Sequence, residues 1–99
     1  MNITVKGNPE ALTIVADGII DSSSAPEFET AVKEACETSK NVTIDFSGVE
    51  FISSAGLRVL LLAQKGLSAS NGSVTLINVN ESVREVFELT GIMNFLNVV

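Results

Sequence analysis

The chain has 99 residues, which is the size of a single domain, and 45% of them are hydrophobic while 18% are charged. This balance is typical of a globular protein and not of a disordered one. Twelve acidic residues against six basic ones give a net charge of −6, so nucleic-acid binding by phosphate neutralisation is not expected. The sequence contains no His, which excludes a Ser-His-Asp triad, an imidazole general base and a His-ligated metal.

The sequence carries no recognisable export or membrane signal. The first seven residues have one Lys and no apolar stretch, so they do not resemble a signal peptide. The longest apolar run, residues 59–63, is far shorter than the roughly 20 residues that cross a bilayer. The single cysteine, Cys36, cannot form an internal disulfide, which fits a reducing compartment. We therefore expect a cytoplasmic protein that binds no membrane, with Cys36 as a small core residue.

The first third of the chain predicts a hairpin of two strands followed by a helix. Apolar residues alternate with polar ones on either side of a Gly-Asn-Pro turn, at Ile3, Val5, Leu12, Ile14 and Ala16. Asp17-Gly18 is expected to end or bend the second strand. Ser24 is expected to cap the helix, with Glu27 three residues later as in a capping box. The apolar stripe of this helix is formed by Phe28, Ala31, Val32, Ala35 and Cys36.

The middle of the chain predicts a third strand and a second helix. Val42, Ile44 and Phe46 alternate with polar residues, and Ser47-Gly48 follows them before a short loop. The helix after this loop is apolar around much of its circumference, which predicts that it is largely buried against a sheet. Its apolar positions are Leu57, Val59, Leu60, Leu61, Leu62 and Ala63.

The last third predicts a fourth strand, a third helix and an apolar end. Gly66 and Asn71-Gly72 frame the loop before the strand, whose apolar positions are Val74, Leu76 and Val79. Asn80 or Ser82 is expected to cap the helix, with its inward side formed by Val83, Val86, Phe87 and Thr90. Gly91 is expected to end it. The apolar residues that follow predict a short final helix or strand, and three of them, Met93, Phe95 and Leu96, are expected to be core or sheet cover.

The order β-β-α-β-α-β-α predicts the fold class. Strands joined by crossover helices are parallel neighbours, whereas the initial hairpin is antiparallel. We expect an α/β protein with one domain over residues 1–99. Its mixed sheet should have about four to five strands covered by about three to four helices.

The segment that carries the chemistry is the junction between the third strand and the second helix. The helix begins at Ser53-Ser54-Ala55-Gly56. Either Ser can cap it, and the N–H groups and positive dipole end of a helix start favour an anion. A phosphate on Ser54 would therefore lie where the backbone tolerates it. Gly56 has no Cβ and permits the close approach of another backbone in the first turn of the helix.

Two enzymatic interpretations of this segment fail. Gly-x-Ser-x-Gly is absent and no His could activate a serine, which excludes a serine hydrolase. Gly-x-x-x-x-Gly-Lys is absent, which excludes a phosphate-binding loop. A plain helix cap and an anion site for a small ligand both remain open.

Four segments resemble the STAS family, which contains the anti-sigma factor antagonists of bacteria and related domains of sulfate transporters. Phe-Ile-Ser-Ser-Ala-Gly-Leu at residues 51–57 resembles its Asp-Ser-(Ser/Thr)-Gly-Leu run after a strand. Asp-Gly-Ile-Ile-Asp at residues 17–21 resembles its Gly-Glu-(Leu/Ile)-Asp, and residues 44–49 are similar to its Asp-Leu-Ser-Gly-Val. Residues 83–92 resemble its C-terminal helix, so the resemblance covers nearly the whole chain.

The resemblance implies a phosphorylation site and a partner-binding surface. Ser54 matches the serine that is phosphorylated in that family. Ser53 stands where the family often has Asp, which removes an acceptor beside Ser54 and makes Ser53 a rival site. Ala55 replaces a common Ser or Thr and removes only a second hydroxyl. The implied partner-binding residues are Asp21, Ser22, Ser53, Ser54, Ala55, Gly56, Leu57 and Arg58.

The resemblance also implies a regulatory function and no enzymatic one, without a catalytic residue, cofactor or metal. The unphosphorylated chain would bind an anti-sigma factor and serine kinase of the GHKL type, free its sigma factor, and be released when Ser54 is phosphorylated. A serine phosphatase of the PP2C type would reverse the switch. The alternatives are a STAS scaffold that is never phosphorylated and a partner-switching regulator of another process. Glu81, Glu85 and Glu88 are expected to form a solvated helix face and not a metal site.

Overall fold

The secondary structure is that of an α/β protein, as predicted. A computed structural model describes residues 1–99. Its elements are β1 (Asn2–Asn8), β2 (Ala11–Ile20), α1 (Ala25–Thr38), β3 (Asn41–Ile52), α2 (Ser54–Ala69), β4 (Ser73–Ile77), α3 (Glu81–Thr90), a 3-10 turn (Ile92–Asn94) and β5 (Asn97–Val98). The C-terminal segment thus contains both a short helical turn and a short strand. No helix has the length and apolarity needed to cross a bilayer.

The five strands form one mixed sheet in the order β1-β2-β3-β4-β5. β1 and β2 are antiparallel, and every later pair is parallel with a helix as the crossover. Right-handed crossovers between successive neighbours place the helices on the same side of a sheet. Accordingly, buried residues of all three helices and of the sheet belong to one cluster of 22. The opposite face carries half-exposed side chains, including Thr13, Val15, Thr43 and Asp45.

β3 does not end at Ser47-Gly48, as the sequence suggested, but continues to Ile52. Its pairing with β2 shifts register between Val15 and Asp17 and again between Gly18 and Ile19. At each shift β3 contributes one extra residue, so both irregularities are β-bulges that bend the strand without breaking it. β3 therefore leads into α2 with Ser53 as the only intervening residue, and the expected loop is absent.

α1 begins at Ala25, as expected, but Ser24 does not cap it with its side chain. The Ser24 hydroxyl instead donates to the Ile19 carbonyl at 2.7 Å. Phe28, Val32 and Ala35 are buried in the core. Cys36 is half-buried, and burial raises the pKa of its thiol.

α2 is only partly buried, in contrast to the expectation from its apolar composition. Leu57, Leu60 and Ala63 face the core, whereas Leu61 and Leu62 are 41% and 48% exposed. One side of the helix packs on the core between the helices and the sheet, and the other side faces solvent. Gly66, expected in a loop, lies inside this helix.

α3 has the predicted ends. Asn80 Oδ1 accepts from the Val83 N–H at 2.8 Å, and Gly91 follows the helix with φ of 74°. Phe87 packs edge-on against Phe46 of β3, with ring centroids 6.1 Å apart. Thr90, expected inside, is exposed, and its hydroxyl donates to the Val86 carbonyl.

Two further expectations about the last third were wrong. β4 ends at Ile77, before Val79, because Asn78 turns the chain with φ of 57°. Of the three residues expected to be core or sheet cover, Leu96 is buried and Met93 is half-buried, but Phe95 is 66% exposed. Phe95 follows the short 3-10 turn and lines a shallow groove with Leu61 of α2, where it is not enclosed.

Candidate functional site

The predicted site residues lie at the carboxyl ends of two adjacent parallel strands. Ile20 of β2 and Ile52 of β3 are register partners. The next residue after β3, Ser53, donates its N–H to the Ile20 carbonyl at 2.8 Å. This hydrogen bond joins the start of α2 to the loop formed by residues 21–24. The end of β2 with its following loop and the start of α2, which carry the predicted partner-binding residues, therefore form one surface.

Gly56 sets how closely α2 approaches this pair of strands. A Cβ on Gly56 would lie 2.6 Å from Ile20 Cγ2 and 2.6 Å from Ile52 Cγ1. Contacts this short do not occur between packed side chains, so any larger residue would push the first turn of α2 away. The close approach expected from the sequence is thus present, although side chains and not a backbone make the contact. Leu57, beside Gly56, is buried in the core.

Ser54 is the first residue of α2, and it is exposed. The first three N–H groups of the helix, those of Ser54, Ala55 and Gly56, have no carbonyl within the helix to bond. Ser53 occupies the capping position with extended backbone, but its side chain makes no capping hydrogen bond. The expectation that a serine hydroxyl caps this helix was therefore wrong, and the Ser53 side chain leaves these N–H groups without a capping acceptor.

The Ser53 hydroxyl has a different environment from that of Ser54. Its oxygen is buried and is the only buried side-chain nitrogen or oxygen without a hydrogen-bond partner. A buried hydroxyl left unpaired costs about 1–3 kcal/mol. The two adjacent serines are consequently distinguished by access, since solvent reaches Ser54 and not the Ser53 oxygen.

Asp21 is held in a fixed position within the neighbouring loop. Its Oδ1 accepts from the Ser23 hydroxyl at 2.7 Å, the Ser23 N–H at 3.0 Å and the Ser24 N–H at 3.2 Å. These bonds, the one from the Ser23 hydroxyl most of all, lower the pKa of Asp21 below its usual value. The carboxylate is therefore a fixed negative charge at the surface.

The supporting roles of Ser23 and Ser24 were not predicted. The run Asp-Ser-Ser-Ser is a common signal for a turn in which an Asp side chain bonds the backbone two residues on. That signal could have assigned both residues as supports of Asp21. Ser22, between them and Asp21, is exposed, as is Arg58 one turn along α2.

The acidic residues of α3 lie on its exposed side. Glu81, Glu85 and Glu88 are exposed along α3, as expected. No group of three or more His, Cys, Asp or Glu side chains is arranged to hold a metal ion.

The family model for the STAS domain matches residues 2–99. BtrV of Bordetella bronchiseptica, which is described as an anti-sigma factor antagonist, is 31% identical over 99 residues, or 99% of this chain and 85% of the relative. The anti-sigma-B factor antagonist of Bacillus subtilis is 26% identical over 98 residues, or 99% of this chain and 90% of the relative.

Solved structures also resemble this chain. An anti-sigma factor antagonist from Thermotoga maritima has a TM-score of 0.88 at 22% identity, covering 97% of this chain and 84% of that one. The anti-sigma factor antagonist SpoIIAA in its unphosphorylated form has a TM-score of 0.84 at 20% identity, covering 99% and 88%. At these identities the likeness establishes a shared fold.

Proposed function

The chain belongs to the STAS domain family, and from this premise we propose that it is an anti-sigma factor antagonist controlled by phosphorylation of Ser54. Relatives aligned over 99% of the chain are described as anti-sigma factor antagonists. In this proposal, residues 1–99 act as one domain whose unphosphorylated form binds a GHKL-type anti-sigma factor and frees its sigma factor. The observation that carries the proposal is the exposed Ser54 hydroxyl at the start of α2, on the same surface as Asp21.

A phosphate on Ser54 would alter binding without unfolding the domain. It adds about −1.5 to −2 charges and three acceptor oxygens. The unpaired N–H groups at the start of α2 can donate to these oxygens, so the fold tolerates the group. At the contact surface, the same charge must be desolvated when a partner covers Ser54, and it lies on the same surface as the negative charge of Asp21. A loss of about 3 kcal/mol there weakens binding by over a hundredfold.

Burial favours Ser54 over Ser53 as the modified residue. A kinase must bring the serine oxygen into line with the γ-phosphate of ATP, which requires an accessible hydroxyl. The Ser53 oxygen is buried, whereas Ser54 is exposed. The nucleotide, Mg²⁺ and general base belong to the kinase, so this chain is its substrate. A PP2C-type phosphatase removes the phosphate and restores binding.

Calorimetry with two Ser54 variants tests the proposal. The titrant is the purified GHKL-type anti-sigma factor of the native organism. Ser54→Ala should bind as tightly as the unmodified chain, because it keeps the surface uncharged. Ser54→Asp should bind about a hundredfold more weakly. Ser68→Asp is the matched control, since it adds the same charge to an exposed serine at the other end of α2.

Other outcomes identify the alternatives. Equal binding by Ser54→Ala and Ser54→Asp would reject the switch and favour a scaffold, which the replacement of the usual Asp by Ser53 also favours. Incubation with the kinase and ATP, followed by mass spectrometry, should find phosphate on Ser54. Phosphate on Ser53 alone would reject the assignment. A Ser54-dependent partner that holds no sigma factor would indicate control of another process.

A further inference from the structure

An apolar pair lies exposed next to the candidate site. Ile19 of β2 and Phe51 of β3 are register partners, and they are 47% and 48% exposed. Ile19 directly precedes Ile20, and Phe51 directly precedes Ile52; Ile20 and Ile52 are the buried last residues of these strands. Successive strand residues point to opposite faces, so Ile19 and Phe51 lie on the sheet face that no helix covers.

A β-bulge places this pair at the surface. Gly18 pairs with Val49 and Ile19 with Phe51, so Glu50 is the extra residue on β3. Val49 and Ile52 are both buried, and the two residues between them are both exposed. Bulges of this kind change the direction of side chains next to functional sites. The exposure of Phe51 is therefore built into the strand.

Acidic residues neighbour the apolar pair along both strands. Asp17 lies two residues before Ile19 on the same strand face and is exposed. Glu50 is exposed beside Phe51, and Asp21 lies two residues after Ile19 at the site. We call Ile19, Phe51, Asp17 and Glu50 the acidic-rimmed patch.

The negative charge of this patch favours a partner protein with basic residues over a second copy of this chain. A second copy packed symmetrically on it would bring like charges together, in a chain whose net charge is already −6. A complementary surface has an apolar centre and a rim of Arg or Lys, because opposite charges steer and orient the encounter. Apolar side chains at the centre of such a contact supply most of its affinity.

The patch is also continuous with the candidate site. The Ser24 hydroxyl, which supports Asp21, donates to the Ile19 carbonyl at 2.7 Å. Phe51 and Ser53 flank Ile52, the last residue of β3. A protein that covers Ser54 and Asp21 from the end of the sheet therefore meets the patch at its edge.

We propose that the acidic-rimmed patch is a second contact for the anti-sigma factor, which receives Ile19 and Phe51 on apolar side chains flanked by basic ones. This inference rests on the proposed function, since it names the same partner. It adds a contact that phosphorylation of Ser54 does not directly touch and that sets which anti-sigma factor is bound.

Calorimetry with patch variants tests the inference, with the same purified anti-sigma factor as titrant. Ile19→Ser and Phe51→Ser should each weaken binding about tenfold. Val5→Ser is the matched control, because Val5 is 47% exposed on β1 and pairs with Ile14, about 16 Å along β2 from Ile19. Its affinity should be unchanged. Thermal unfolding of each variant verifies that it is folded at the titration temperature.

A charge variant tests the rim separately. Glu50→Gln should weaken binding several-fold in 50 mM salt and reduce the salt dependence of the affinity. An unchanged salt dependence would overturn the basic rim proposed for the partner.

The remaining outcomes separate this inference from the proposed function. If Ser54→Asp binds about a hundredfold more weakly while Ile19→Ser and Phe51→Ser bind normally, the inference fails and the proposed function stands. If the unmodified chain does not bind the anti-sigma factor, both fail. If the chain forms dimers in sedimentation and Phe51→Ser forms monomers, the patch is a contact between copies and the inference is wrong.

Discussion

Gly56 and Gly66 lie in the same helix and have opposite surroundings. A Cβ on Gly56 would meet Ile20 and Ile52 at 2.6 Å, whereas a Cβ on Gly66 would meet nothing within 4 Å. Gly56→Ala should therefore lower the free energy of unfolding by about 1–3 kcal/mol through overpacking. Gly66→Ala should raise it by about 0.5–1 kcal/mol, because alanine restricts the unfolded chain and favours helix. Urea unfolding measures both, and a shift in the same direction would contradict this account.

Single residues were predicted well where steric fit decides and poorly where hydrogen bonds compete. The sequence predicted a close approach at Gly56, although of a backbone and not of the Ile20 and Ile52 side chains. The partner of the Ser24 hydroxyl was not, because that hydroxyl can cap a helix or bond a carbonyl with similar energy. The folded strand brings the Ile19 carbonyl within reach, and this tertiary contact decides the outcome.

At the scale of the element, Asn80 fixes the start of α3 to β3. Its Oδ1 accepts from the Val83 N–H, and its Nδ2 donates to the Val49 carbonyl, both at 2.8 Å. Asn80→Ala should destabilise the fold by about 1–3 kcal/mol, since it removes both bonds. Asn80→Ser should recover part of this loss, because a serine caps the helix but cannot donate an amide N–H to Val49.

Chemical unfolding of the two Asn80 variants provides the measurement. Equal stability of Asn80→Ser and Asn80→Ala would show that capping contributes little. Ser82→Ala, in the first turn of the same helix and exposed, is the control.

The elements themselves were predicted in kind and order because their signals are local. Period-2 and period-3.6 patterns gave the four main strands and three helices. Ser47-Gly48 was misread as a strand end, because turn residues also occur at bulges, and only pairing with β2 distinguishes the two. Likewise, the apolar residues around α2 did not reveal that Leu61 and Leu62 are exposed. Their exposure depends on whether another element packs on the outer side of the helix, which the local sequence does not encode.

At the scale of the whole molecule, ionised carboxylates make stability depend on pH. The Ser47 N–H above all, together with the Asn78 side chain, lowers the pKa of Asp45 below its usual value. A folded-state pKa below the unfolded value stabilises the fold at neutral pH, and this stabilisation is lost as the pH falls through the folded-state pKa. Asp45→Asn should therefore be less stable than the parent chain at pH 7 and about equally stable near pH 2.

Urea unfolding across this pH range tests the prediction. Glu34→Gln, which removes an exposed charge on α1, is the charge-matched control. A difference between Asp45→Asn and the parent that stays constant with pH would contradict the assigned role of Asp45.

The strand order has a consequence for how the protein is made. Each strand pairs only with strands that are adjacent to it in the sequence, from β1 to β5. Each new strand can therefore pair with the strand synthesised just before it as the chain leaves the ribosome, and no strand needs a partner that is distant in the sequence. The ends of β2 and β3 and the first turn of α2 all precede β4, α3 and β5 in the sequence. The residues of the surface proposed to bind the anti-sigma factor are thus synthesised before those of β4, α3 and β5, whose side chains complete the core beneath that surface.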